Sequence, residues 1–81
     1  MNNLNNMSKM KIELVTQSDV LEFIEIATEA EGEVYLEDAS GTLRISGKSI
    51  LGVKMASVEW NDLYVRYSDP NISTKLFKFS R

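Results

Sequence analysis

Strict alternation opens at Lys9. In the run K-M-K-I-E-L-V, Met10, Ile12 and Leu14 take one side and Lys9, Lys11 and Glu13 the other, the period of a half-buried strand. Thr16-Gln17-Ser18-Asp19 ends the alternation with residues that favour caps. Glu22 follows Asp19 by three positions, so the spacing predicts a helix that starts near Asp19 with a capping-box arrangement. At about 100° per residue, Val20, Phe23, Ile24, Ile26, Ala27 and Ala30 share one broad arc of that helix, while Glu22, Glu25 and Glu29 gather on the opposite side. Gly32 stands where a left-handed residue lets the chain turn out of the helix.

Alternation returns in E-V-Y-L-E, with Val34 and Leu36 inward, and in T-L-R-I-S, with Leu43 and Ile45 inward; Ser40-Gly41 between them predicts a hairpin. Gly47-Lys48-Ser49 interrupts the second run, and the apolar set Ile50, Leu51, Val53 and Met55 predicts one or two helical turns capped by Ser49. L-Y-V-R-Y predicts a fourth strand with Leu63, Val65 and Tyr67 inward and Tyr64 and Arg66 in solvent. Asp69-Pro70 joins a cap to a residue suited to a first helical turn, after which Ile72, Leu76 and Phe79 lie on one helical face; K-L-F-K-F also fits a fifth strand.

Each strand has one apolar and one polar face. The expected fold is therefore an α/β (α+β) open-faced sandwich, a four-stranded antiparallel sheet with helices on one side and water on the other. A chain of 81 residues suffices for one core, so residues 1–8 are expected to form a flexible tail and 9–81 a single domain.

Composition narrows the chemistry. Hydrophobic residues at 43% and charged residues at 26% are the usage of a globular chain. The absence of cysteine and histidine removes disulfides, the usual soft metal ligands, and thiol or imidazole catalysis, so neither an enzyme nor a cofactor is expected. Nine basic against twelve acidic side chains leave a net charge of −3, and apolar runs are only pairs or triplets, so neither nucleic acid nor membrane is expected as a partner. No stacking aromatics are expected between basic residues, which with the acidic balance disfavours an enzyme or nucleic-acid binder on an open sheet. The opening MNNLNNMSK lacks the basic and apolar regions of a secretory signal, which points to the cytoplasm.

Gly47-Lys48-Ser49, after a strand and before a helix, has part of a phosphate-binding loop. The glycine that motif needs five positions earlier falls at Thr42, with Gly41 one residue out of register, and a helix cap accounts for Ser49 more simply. Glu22, Glu25 and Glu29 concentrate negative potential, but no glycine-bent calcium loop accompanies them and a solvated helix face explains the row. Lys75, Lys78 and Arg81 read as macrodipole partners of the last helix. Trp60 and Tyr64 fit either sheet-edge packing or a partner interface.

The segment I-S-G-K-S-I-L-G-V, Ile45 to Val53, resembles the regulatory serine segment of the histidine-containing phosphocarrier (HPr) family of the sugar phosphotransferase system. E-V-Y-L-E-D-A-S-G, Glu33 to Gly41, is similar to that family's second strand and turn, and the order of elements is also the family's, so the resemblance covers most of Lys11 to Ser68. G-K-S-I-L-G is its one specific motif. Carriers of the family hold phosphate on a histidine in a loop of the form G-I-H-A-R-P; here Thr16-Gln17-Ser18-Asp19 takes its place, and the neighbouring arginine is missing as well. Asp19 could form an acyl phosphate in principle, but no cations for that chemistry lie near it in the sequence.

The resemblance implies a non-enzymatic, HPr-like protein of regulatory or adaptor role, with Ser49 at the position of the regulatory phosphoserine and Lys48, Ile50, Leu51 and Met55 as contact residues. The partners it implies are an HPr kinase and a transcriptional regulator of carbon catabolite repression. The alternative is a degenerate phosphocarrier that acts as a scaffold or competitor for phosphotransferase components. The acidic first helix and the short last helix depart from the family's usual docking features.

Overall fold

The computed structural model describes residues 7–81, which form a four-stranded antiparallel sheet with helices packed on one face. The chain runs β1 (Ser8–Ile12), α1 (Gln17–Glu29), β2 (Val34–Glu37), β3 (Arg44–Ser46), α2 (Ile50–Glu59), β4 (Leu63–Tyr67) and α3 (Ser73–Leu76), the last flanked by 3-10 turns at Pro70–Ile72 and Phe77–Phe79. Strand order is β1-β4-β2-β3. The last strand in sequence thus lies inside the sheet, with Met10 opposite Val65 on one side and Leu36 opposite Val65 on the other. Of the expected tail, residues 1–6 lie outside the described residues, and Ser8 already belongs to β1.

Period two sorts the strand side chains. Ile12, Val34, Leu36, Leu63, Val65 and Tyr67 are buried beneath the helices and meet Val20, Phe23, Ile24, Ile26, Ala27 and Ala30, the arc expected of α1. The β1 alternation outlasts its ladder: Leu14 is buried past the strand's end, while Val15 is exposed. In the C-terminal segment the helical reading holds over the strand reading, because Ile72, Leu76 and Phe79 turn into the core and Phe77 points outward. Asp69 accepts from the Asn71 N–H at 2.9 Å as the expected cap, and also from the Glu31 N–H at 3.0 Å, joining the end of α1 to the end of β4. Gly32, at φ +94°, makes the turn between them; a side chain there would be strained and would strike Ser68 Oγ. The chain ends along β1, where the Glu13 N–H donates to Phe79 and the Arg81 N–H to Lys11, covering part of that edge.

Three local expectations are corrected. Helix α1 is capped by Thr16, not Asp19: Thr16 Oγ1 accepts from the Asp19 N–H at 3.0 Å, and the Asp19 carboxylate accepts the Thr16 N–H at 3.2 Å in return. The box therefore sits three residues earlier, and Glu22 instead pairs with Lys78 from the C-terminal turn. Leu43 does not point inward but is 51% exposed, because β3 begins only at Arg44 and Leu43 still belongs to the turn, bonded to Asp38 through both its N–H and its C=O. Helix α2 spans ten residues rather than one or two turns. Ala56, Ser57 and Val58 extend it without a breaker until Trp60, whose N–H closes on the Ala56 carbonyl.

Candidate functional site

Ser49 sits at the junction of β3 and α2. Its Oγ accepts the Gly52 N–H at 3.2 Å, so it is the helix cap its position predicted, and the residue is exposed to solvent. Lys48 beside it is also exposed, with its N–H bonded to Ser46 Oγ at 3.1 Å.

Helix α2 carries apolar residues on two sides, with Lys54, Ser57 and Glu59 among them, yet only Val53 and Ala56 are buried in it. The opposite arc carries Ile50, Leu51, Met55 and Val58 into solvent, with Leu51 81% and Val58 83% exposed. All the residues singled out by the resemblance, Lys48 to Leu51 and Met55, thus come together on one surface at the start of α2. Val58 was missed because the helix was expected to stop before it. Its signal was simply its spacing, one turn beyond Met55 and two beyond Leu51.

Between α2 and the start of α1 lies a groove of about 310 Å³ walled by Val15, Gln17 and Val20 on one side and Lys54, Ser57 and Val58 on the other. Exposed Val15 and Leu21 extend the apolar surface on the α1 side, Leu21 lying one turn beyond Gln17. Asp19, at the head of this helix, is tied into the backbone. The N–H groups of Thr16 and Val15 both reach its Oδ2, and these bonds hold its carboxyl below the ordinary aspartate range. Such a carboxylate caps a helix.

The other face of the sheet holds a feature the sequence reading passed over. Glu37, the last residue of β2, is 1% exposed although it lies on the side away from the helices. Arg44 donates to its Oε2 through Nε (3.0 Å) and Nη2 (2.7 Å), and Arg66 donates to its Oε1 through Nε (3.1 Å). Burial favours the protonated acid, but the hydrogen bonds and charges of Arg66 and Arg44 outweigh it, so the carboxyl is held below its usual range. On the same face Lys9 Nζ stands 4.8 Å from the Tyr64 ring centre and Arg44 Cζ 5.3 Å from that of Tyr35. The expectation that no aromatics stand among the basic residues is therefore corrected: strand pairing sets Lys9 over Tyr64 and Arg44 over Tyr35. Trp60 is half-buried against the core.

No family model matches the chain, and no curated protein or solved structure matches it either. Among the described residues no cluster of three or more metal-ligating side chains is found, and no helix is long and apolar enough to cross a membrane.

Proposed function

We propose that the chain is an HPr-like regulatory adaptor in the cytoplasm, without phosphohistidine or other catalytic chemistry, that docks on a protein partner through α2 and is switched at Ser49. The observation that carries this reading is the surface beside Ser49, where an accessible hydroxyl at a helix N-terminus adjoins the exposed side chains of Ile50, Leu51, Met55 and Val58. Clustered apolar exposure on a small domain is the mark of an interaction site. The element order and the place of G-K-S-I-L-G at a strand-to-helix junction support the likeness to the family, and the missing histidine removes the carrier reaction.

A phosphate on Ser49 would stand where the α2 dipole favours an anion by roughly 0.3–1 kcal/mol, with Lys48 alongside. The fold is retained and the patch changes character, from apolar to one that selects an arginine or lysine on the partner.

The experiment is treatment with an HPr kinase and ATP, location of the phosphate by fragmentation mass spectrometry, and comparison of regulator binding by wild type and Ser49→Ala. Phosphate on Ser49 with gain of regulator binding supports the switch. Binding to enzyme I of the phosphotransferase system with neither phosphoryl uptake nor kinase modification replaces it with the scaffold reading.

A further inference from the structure

The face of the sheet away from the helices concentrates positive charge on an acidic chain. From the four strands it presents Lys9, Lys11, Tyr35, Arg44, Tyr64 and Arg66, while the alternate residues are turned to the core. Glu37 is the one carboxylate that these strands place among them, a surplus of three positive charges on a chain whose net charge is −3. Just past the strand ends, Asp62 lies 3.4 Å from Lys11, Glu33 accepts from the Tyr35 hydroxyl and Glu13 pairs with Arg81, so the surplus belongs to the residues within the strands.

The arrangement is ordered as well as charged. Buried Glu37 draws the guanidinium groups of Arg44 and Arg66, from β3 and β4, to the two oxygens of one carboxylate. Tyr35 lies opposite Arg66, and Tyr64 opposite Glu37, so the two rings are diagonal neighbours on the two inner strands. Such neighbours stand about 7–8 Å apart. Each ring has a cation at one face. A cation resting over a ring can move onto a phosphate and leave the ring face to a base, and two such units side by side accept consecutive nucleotides. An acidic peptide would use the cations and leave the rings idle. A duplex keeps its bases stacked inside and offers neither ring a partner.

We propose that this open sheet face binds single-stranded nucleic acid, with successive bases on Tyr35 and Tyr64 and their phosphates held by Lys9, Arg44 and Arg66. This surface lies across the sheet from α2, so the proposal stands independently of the adaptor reading.

The test is fluorescence anisotropy of labelled oligouridylate and oligothymidylate against the full chain at low salt, with a duplex of equal length and polyglutamate as comparisons. Saturable binding of the single strands above both comparisons is expected. Tyr35→Ile and Tyr64→Ile, which keep strand propensity, should each weaken it by roughly 5- to 150-fold, the worth of one stacked base. Lys9→Gln should lower the salt slope by about 0.7, and Thr28→Ala, at an exposed position of α1 across the sheet, should change nothing. Because the tyrosine variants also alter the sheet, amide chemical shifts of the wild-type protein give a second readout: titration should move residues of the four strands, not those of α2. Absence of saturable binding, equal binding of polyglutamate that survives loss of the rings, or shifts centred on α2 would each overturn the proposal.

Discussion

Arg44 donates two hydrogen bonds to a single oxygen of Glu37, at 3.0 and 2.7 Å, across the β2–β3 ladder in which the two residues are register partners. The Glu37 side chain is buried while that of Arg44 remains about a third exposed, so the arginine shields the acid and keeps its own contact with water. Removing the negative charge leaves Arg44 and Arg66 facing each other. Glu37→Gln is expected to lower stability by about 1.5–3 kcal/mol, the usual worth of hydrogen bonds to a charged group, seen as a lower urea midpoint at unchanged slope.

Acid should act in the same direction. Asp19, Asp38 and Asp69 are held below the ordinary aspartate value of 3.8 chiefly by backbone N–H groups of Thr16, Leu43 and Glu31 respectively, and Glu37 lies below 4.5 through its arginines against the opposing effect of burial. A carboxyl with a depressed folded pKa binds fewer protons folded than unfolded. Its stabilisation is present above the unfolded value and is lost as pH falls through the folded one. Urea midpoints should therefore drop between about pH 5 and pH 2, and the gap between wild type and Glu37→Gln should narrow over the same range. A gap that stays constant with pH would show that Glu37 is not the ionised centre of the network.

The elements were legible because burial here follows one-face periodicity. Leu63, Val65 and Tyr67 announced β4, and the arc from Val20 to Ala30 announced α1. What was not legible depends on pairing. Glu37 reads as an ordinary polar residue until β3 and β4 bring Arg44 and Arg66 to it from seven and twenty-nine positions away. Tyr64 gains its lysine only when β1 pairs with β4. At the candidate docking site Ser49 and its cap could be read locally, but the extent of the apolar patch could not, because α2 is apolar on two sides and the sequence does not say which side the sheet covers.

The capping box of α1 is a local prediction with a local readout. Thr16→Ala should cost about 0.5–2 kcal/mol by orphaning the Asp19 N–H. Asp19→Ala should add less to Thr16→Ala than it costs alone, since the two side chains close one reciprocal motif. A double-mutant cycle by chemical denaturation measures this, and strict additivity would contradict a shared cap.

Phe23 is fully buried and meets the Phe79 ring edge-on, centroids 6.5 Å apart, so α1 and the C-terminal turn share one contact. Phe23→Ala should cost about 3–5 kcal/mol, enough to unfold much of a domain this small. Phe23→Leu keeps most of the volume and should remain folded, with a reduced thermal midpoint. If Phe23→Ala were nearly neutral, the central packing of α1 on the sheet would be wrong.

The last prediction separates docking from folding on a single helix. Leu51 and Val58 are each more than four-fifths exposed, whereas Val53, between them in sequence, is fully buried. Leu51→Glu replaces one good helix former by another and places a carboxylate in the first turn of α2, where the dipole favours it; Val58→Gln removes the apolar surface near the other end without adding a charge. The double variant should keep its stability within about 0.5 kcal/mol, while Val53→Ala should lose about 1–3 kcal/mol. Partner affinity should show the reverse order. In titration calorimetry against a regulator that binds the wild type, the folded Leu51→Glu/Val58→Gln protein should show no heat of binding, and Val53→Ala, where it remains folded, should bind normally. Undiminished binding by the double variant would mean that the apolar arc of α2 is not the surface that meets the partner.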